Sequence, residues 1–157
     1  MTTIAVRGKV MAADSQTMND DMVYSRCEKI FRKRVTINRR KRDILIGTAG
    51  EDFSGMLFVD WYPGAVALEL NGPGAIPKAL EEFKDDFLCL TLEPSGVYLC
   101  DLHLRPIKLL GKFFAIGSGA KLALAAMEMG ASAAKAVEIA CKYCAGSRPP
   151  VVTERLG

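Results

Sequence analysis

Histidine is almost missing from this chain. His103 has no second imidazole with which to share a metal ion or a catalytic pair, so neither role is expected of it. Strong charge of one sign is missing too, since a net +3 is too small to argue for a nucleic-acid partner by itself. No window approaches the ~18 uninterrupted apolar residues of a membrane helix, and the N-terminus has neither the basic start nor the long apolar stretch of a secretion signal. Internal repeats and low-complexity linkers are absent, so residues 1–157 are expected to form one domain with a real core. Five cysteines, an odd count, fit a reducing compartment better than a disulfide framework. A soluble, cytoplasmic protein is expected, with no membrane partner.

What is present begins at the second residue. Residues 2–7 and 10–14 are short apolar runs around Gly8-Lys9, a plausible two-residue hairpin loop with glycine supplying the positive φ. A second hairpin is expected over roughly 29–37 and 43–49, around the basic tip NRRKR. The stretch EDFSGMLFVDWY reads as a helix that Pro63-Gly64 ends. NGPGAIPKALEEFKDD reads as turn residues leading into a short helix. FLCLTLEPSGVYLCDLHLRPIKL reads as strands broken at Glu93-Pro94-Ser95-Gly96, a third hairpin. In the last third, GSGAKLALAAMEMGASAAKAVEIACKYC is alanine-rich and helical, with Gly130 as a stop and Ser132 as an N-cap. Val137, Ala140, Cys141 and Cys144 fall on one apolar face. Hairpins plus a helical pair indicate α+β layers rather than alternating βαβ units.

With Gly8 and Lys9 in the loop, Arg7 faces Val10, and Asp14 comes opposite Thr3 and beside Thr2. Threonine offers a hydroxyl nucleophile. Once Met1 is removed, the α-amine of Thr2, with a reference pKa of about 7.7 to 8.0, can take the hydroxyl proton near neutral pH. Lys29, inside CEKIF, is a candidate for the cation such a hydroxyl needs. The plainer alternative stands beside this one: Thr2 as an edge-strand residue, Asp14 as a turn residue and Lys29 as a solvated charge, since a register slip of one would separate them.

The segments TTIAVR, AADSQ, CEKIF, LIGTAG and FAIGSGAKLALAAMEMGASAAKAVEIA, in that order over nearly the whole chain, resemble the N-terminal-nucleophile hydrolases of the proteasome β-subunit and HslV peptidase family. Short proteasome-like proteins of bacteria and phages are the most similar in kind. The resemblance implies a four-layer αββα sandwich, peptide-bond hydrolysis by an N-terminal threonine, and stacked rings of six or seven subunits enclosing a chamber. An ATP-dependent unfoldase is a possible partner, peptides or unfolded proteins are the substrates, and no cofactor is expected. Thr2 would be the nucleophile, with Asp14 and Lys29 as the charged pair that orients it. Ser118, in GSG, would hydrogen-bond the α-amine, and Gly50 would give its backbone N–H to the oxyanion. Thr48 and Asp52 would shape the substrate side-chain pocket. The apolar faces of the two late helices are expected to pack between subunits or rings.

Two departures stand out. The family has an Asp-x-x-Ser or Asp-x-x-Thr element after the last helix, and here Cys144 takes the aspartate position with Ser147 at the hydroxyl. A neutral thiol is a poor replacement for a carboxylate acceptor. A ring or scaffold protein with weak or lost turnover is therefore the alternative. The connection from Pro63 to Pro77 also looks to have lost much of the usual first helix. Among rival signals, CKYC has the spacing of a redox pair or half a metal site, but core cysteines fit its apolar face better. RKRVTINRRKR holds seven basic residues in eleven without interleaved aromatics, and reads as a solvated hairpin tip or a docking surface for an acidic partner rather than a nucleic-acid site.

Overall fold

A computed structural model describes residues 1–19, 22–50, 52–67, 87–101 and 105–157. His103 and the short helix expected within residues 71–86 lie outside the described residues.

Strands β1 (Thr3–Arg7) and β2 (Val10–Ala13) pair around Gly8, whose φ of 60° is the left-handed value the turn requires. The register is the expected one, with Arg7 facing Val10 and Ile4 facing Ala13. A short two-stranded sheet follows, β3 (Gln16–Asn19) with β4 (Met22–Arg26). Strands β5 (Ile30–Ile37) and β6 (Arg40–Gly50) form the second hairpin. Its tip is tighter than NRRKR suggested. The ladder closes at Ile37 and Arg40, so Arg40 to Arg42 are strand residues, and only Asn38 (φ 49°) and Arg39 (φ 62°) turn. Paired backbone along a long two-stranded ribbon outweighs the repulsion of neighbouring exposed cations, which water screens.

Helix α1 (Asp52–Ala67) does not stop at Pro63. Proline removes one hydrogen bond of the last turn, but Tyr62 and Ala65 are buried, and Tyr62 stacks on Phe58 at 4.9 Å between ring centroids. Packing carries the helix one turn past its breaker, to Ala67, and the rest of the connection to Pro77, where part of the first helix was expected to be lost, lies outside the described residues.

Strands β7 (Phe87–Glu93) and β8 (Gly96–Cys100) turn at Pro94-Ser95 as read, and β9 (Ile107–Leu109) completes a meander in the order β5-β6-β7-β8-β9. β10 (Phe113–Gly117), α2 (Ala120–Glu128), α3 (Ala133–Tyr143) and β11 (Val152–Arg155) close the chain. The second sheet has the order β10-β1-β2-β11, which places the N-terminal strand in its interior. Gly130 (φ 97°) ends α2 and the Ser132 side chain caps α3, accepting from Lys135 N at 3.2 Å. Arg7 donates to the Met127 and Ala131 carbonyls at 2.9 and 2.5 Å, satisfying acceptors at the end of α2.

These elements stack in four layers. Between the sheets lie Ile4, Val6, Met11, Leu45, Leu90, Leu92 and Ile116. Under α1, Phe58, Val59 and Tyr62 pack on Val35, Ile44, Ile46, Phe87 and Cys89. On the other side Ala123, Met127, Ala133, Ala136 and Val137 pack on Ala5 and Ala12. Alternation along the strands accounts for this: Ile4 and Val6 point to one face and Ala5 to the other. One apolar face of α2 and α3 is thus buried within the chain. Leu124, Met129 and Tyr143 remain outside.

Candidate active site

The β1–β2 register places Asp14 at the exit of β2, opposite Thr3, and the structure shows what the carboxylate does there. Oδ1 accepts from Thr3 N at 2.8 Å and Lys29 Nζ at 3.1 Å. Oδ2 accepts from Gln16 N at 3.1 Å, Arg148 N at 3.2 Å and Lys29 Nζ at 3.2 Å. The two side chains are 0% and 4% exposed. A buried carboxylate is tolerable only when its lone pairs are filled and its charge is met, and here both conditions hold. Lys29 has one further acceptor, the carbonyl of Met1 at 3.2 Å. Its ammonium therefore lies against the Met1–Thr2 peptide bond. Thr2, 6% exposed, leaves its hydroxyl without a hydrogen bond among the described residues.

The opposite wall comes from the start of α2 and the loop after α3. Ser118 Oγ donates to the Thr2 carbonyl at 3.3 Å, and Cys144 Sγ donates to Ser118 Oγ at 3.6 Å. Ser147, fully buried, shares a 2.5 Å hydrogen bond with Thr3 Oγ1. The loop is pinned to the strand end, with Ser15 N donating to the Arg148 carbonyl at 3.2 Å and Ser15 Oγ to the Pro150 carbonyl at 2.7 Å. Gly117 and Gly119 allow this approach. A Cβ at the first would fall on the Thr2 carbonyl, and at the second on Thr3 Oγ1.

Thr2, Asp14, Lys29, Ser118, Cys144 and Ser147 are thus one contiguous cluster. Thr48 and Gly50 sit on the neighbouring strand end. Thr48 N donates to the Lys29 carbonyl at 3.2 Å, its side chain lies against Gly55 of α1, and Gly50 ends β6 with φ 113°. Asp52 is the first residue of α1.

One placement differs from the sequence reading. Cys144 does not continue the apolar face of Val137 and Ala140, because α3 ends at Tyr143 and Cys144 leaves it with φ −106° and ψ 120°. The thiol turns to Ser118 instead of the core. Cys141 is also only partly buried, yet burial is the main cause that pushes its thiol up to about 11. Sequence reasoning also missed Thr3 Oγ1 and the amides of Gln16 and Arg148. Backbone donors leave no side-chain signal, and Thr3 is seen as a partner only once Ser147 folds back. Among the described residues no group of three or more His, Cys, Asp or Glu side chains is placed to hold a metal, and no helix is long and apolar enough to cross a membrane.

Two antiparallel sheets face to face between helical layers, with the N-terminal strand inside one sheet, give the four-layer sandwich fold of the proteasome and HslV type. Solved structures bear this out. HslV from Trypanosoma brucei superposes with a TM-score of 0.68 at 22% identity, covering 98% of this chain and 97% of that one. BPH from Thiobacillus denitrificans gives 0.64 at 21% identity, covering 99% and 98%, and its complex with epoxomicin gives 0.63 at 20%. No protein-family model and no curated protein matches the sequence.

Proposed function

We propose that the chain is a subunit of a threonine-type peptidase, hydrolysing peptide bonds with Thr2 after Met1 is removed. The observation that carries this reading is the buried Asp14–Lys29 pair, held with its ammonium 3.2 Å from the carbonyl that precedes Thr2. Removal of Met1 turns Thr2 N into an amine next to that cation and its own hydroxyl. The amine takes the hydroxyl proton, Thr2 Oγ1 attacks the substrate carbonyl, and the positive charge of Lys29 favours the oxygen anion. Gly50 N–H receives the oxyanion of the tetrahedral intermediate. Collapse expels the amine half of the peptide, which takes that proton from the α-ammonium, and leaves an ester on Thr2, which water hydrolyses with the freed α-amine as base. Ser118 and Ser147 hold the strand that carries the nucleophile, and Thr48 and Asp52 shape the pocket for the substrate side chain.

Peptides or unfolded proteins are the substrates, and the chain works in the cytoplasm as a homo-oligomeric double ring of six or seven subunits per ring, which an ATP-dependent unfoldase could feed. One observation favours a second reading, a ring protein with weak or no turnover: Ser118 meets the thiol of Cys144 rather than a carboxylate.

Epoxomicin, which BPH of T. denitrificans holds in one of its structures, is the probe. Incubation followed by intact-mass analysis is expected to show a chain without Met1 carrying one inhibitor on Thr2. Thr2→Ala is expected to keep the fold and abolish both capture and hydrolysis. Unchanged turnover in Thr2→Ala would overturn the assignment, and a processed chain that captures nothing would favour the scaffold.

A further inference from the structure

The peptidase chemistry uses neither Cys141 nor Cys144 as a reactant, yet both are free, partly exposed thiols, Cys144 against Ser118 and Cys141 three residues before it in α3. Cys144 N still donates to the Ala140 carbonyl at 2.8 Å, so the spacing between the two cysteines is that of an α-helix. Three residues of helix put their Cα atoms about 5 Å apart. That separation lies inside the window a disulfide spans. Both residues line one cavity of ≈ 480 Å³, together with Lys142, Ser147 and Arg148. In the reduced chain, Cys144 Sγ is the donor to Ser118 Oγ, which in turn reaches the Thr2 carbonyl.

We infer that Cys141 and Cys144 are a dithiol that a peroxide converts to a disulfide across the end of α3, and that closing it slows the N-terminal threonine by releasing Ser118. The second half rests on the peptidase reading. Cys144 sulfur attacks the peroxide O–O bond, becoming a sulfenic acid as the other oxygen leaves as water or an alcohol. Cys141 sulfur then displaces the sulfenic oxygen as water and the S–S bond forms. Two electrons pass from the thiols to the peroxide, and a dithiol reductant returns them. Cys144, beyond the end of α3 with its thiol turned out to Ser118, is the first to react, and Cys141, held within the helix, resolves it. In the disulfide Cys144 has no S–H left to give Ser118, and its sulfur is drawn toward Cys141.

The full chain without Met1, treated with hydrogen peroxide and mapped by mass spectrometry, is expected to lose two hydrogen atoms in the peptide holding both cysteines and to regain them with dithiothreitol. Epoxomicin capture is expected to slow several-fold on oxidation and to recover on reduction. Cys141→Ser is expected to capture at the rate of the reduced chain, and under peroxide to gain oxygen at Cys144 without losing hydrogens. Cys141 and Cys144 that stay open to alkylation after peroxide, or that pair with other cysteines, would overturn the couple. A disulfide with unchanged capture would overturn its effect on Thr2. A reduced chain that captures nothing refutes the peptidase reading and the regulatory half with it, while the mass alone decides the couple.

Discussion

Two clusters of opposite charge join distant parts of this chain, and they use the same chemistry for different ends. At the start of the sandwich Asp14 and Lys29 are 0% and 4% exposed, and backbone amides from three separate segments fill the remaining lone pairs. Toward the hairpin tips, Asp43 accepts from Arg32 and Arg34, and Arg32 reaches across the sheets to Glu154 at 2.7 Å and to the Arg155 carbonyl. That second cluster is open to water. The hydrogen bond from Arg34 is the main cause holding the Asp43 carboxyl below its usual range, but solvent screens such groups and little stability follows. Burying a charge costs several kcal/mol by an order-of-magnitude reckoning, and the pair only offsets it when the geometry is good. A chain that needed only a staple between strands had the exposed solution at hand. The buried pair differs in holding an ammonium 3.2 Å from the Met1 carbonyl, the placement on which the peptidase reading rests.

The comparison breaks or sharpens at specific residues. Asp14→Ala leaves Lys29 buried without its counter-ion and strands three N–H groups, and urea unfolding is expected to show a loss of about 3–5 kcal/mol. A loss no larger than that of a surface substitution would mean that water enters the site freely. Lys29→Met is expected to cost less stability, because Asp14 keeps its three backbone donors. Peptide hydrolysis should nevertheless fall on the order of 100-fold or more. A Lys29→Met enzyme with full kcat would reduce the buried pair to the rank of the exposed one.

Alkaline titration reads a different buried set. Burial pushes Cys100 up to about 12 and Cys89 in the same direction, both from an ordinary 9.0. Between those values the folded chain keeps protons that the unfolded chain has lost. Their contribution is therefore whole below pH 9 and declines as pH rises toward the folded values. Tm is expected to hold from pH 7 to about 8.5 and to fall beyond it; a flat profile to about pH 11 would show that the thiols under α1 are reached by water. The smallest effect belongs to Asp43→Ala, which should shift Tm slightly at low salt and not at all in molar salt.

How far the sequence was legible follows the range of the interactions. The β1–β2 register was readable because a two-residue turn leaves no freedom in which residues face each other, and Asp14 beside Thr3 followed from it. Ser132 and Gly130 bounded α3 and α2 because caps are local. Pro63 misled, since the burial of Tyr62 and Ala65 that carries α1 onward depends on strands far along the chain. The same holds for Cys144. Periodicity extended its helix by one residue, whereas the hydrogen bond that turns it away belongs to Ser118, 26 residues earlier. The β3–β4 pair and β11 gave no usable pattern, because short strands without strict alternation of apolar and polar residues look like loops. Asp14, Lys29, Ser118 and Ser147 were brought to one place by the resemblance more than by spacing.

The interior position of β1 has a consequence for the timing of synthesis. Thr3 pairs with Gly117 and Arg7 with Phe113, partners made more than a hundred residues later. The first strand leaves the ribosome long before half of its hydrogen bonds can form, and with β2 on one side its other edge waits open while the rest of the chain is made. During that wait the Met1–Thr2 bond lies open to an aminopeptidase. After β10 docks, Lys29 and Ser118 close on the carbonyls of Met1 and Thr2 and the strand is no longer a free end. In the peptidase reading, methionine removal is therefore easiest before β10 docks, in the interval that the lateness of the C-terminal third provides.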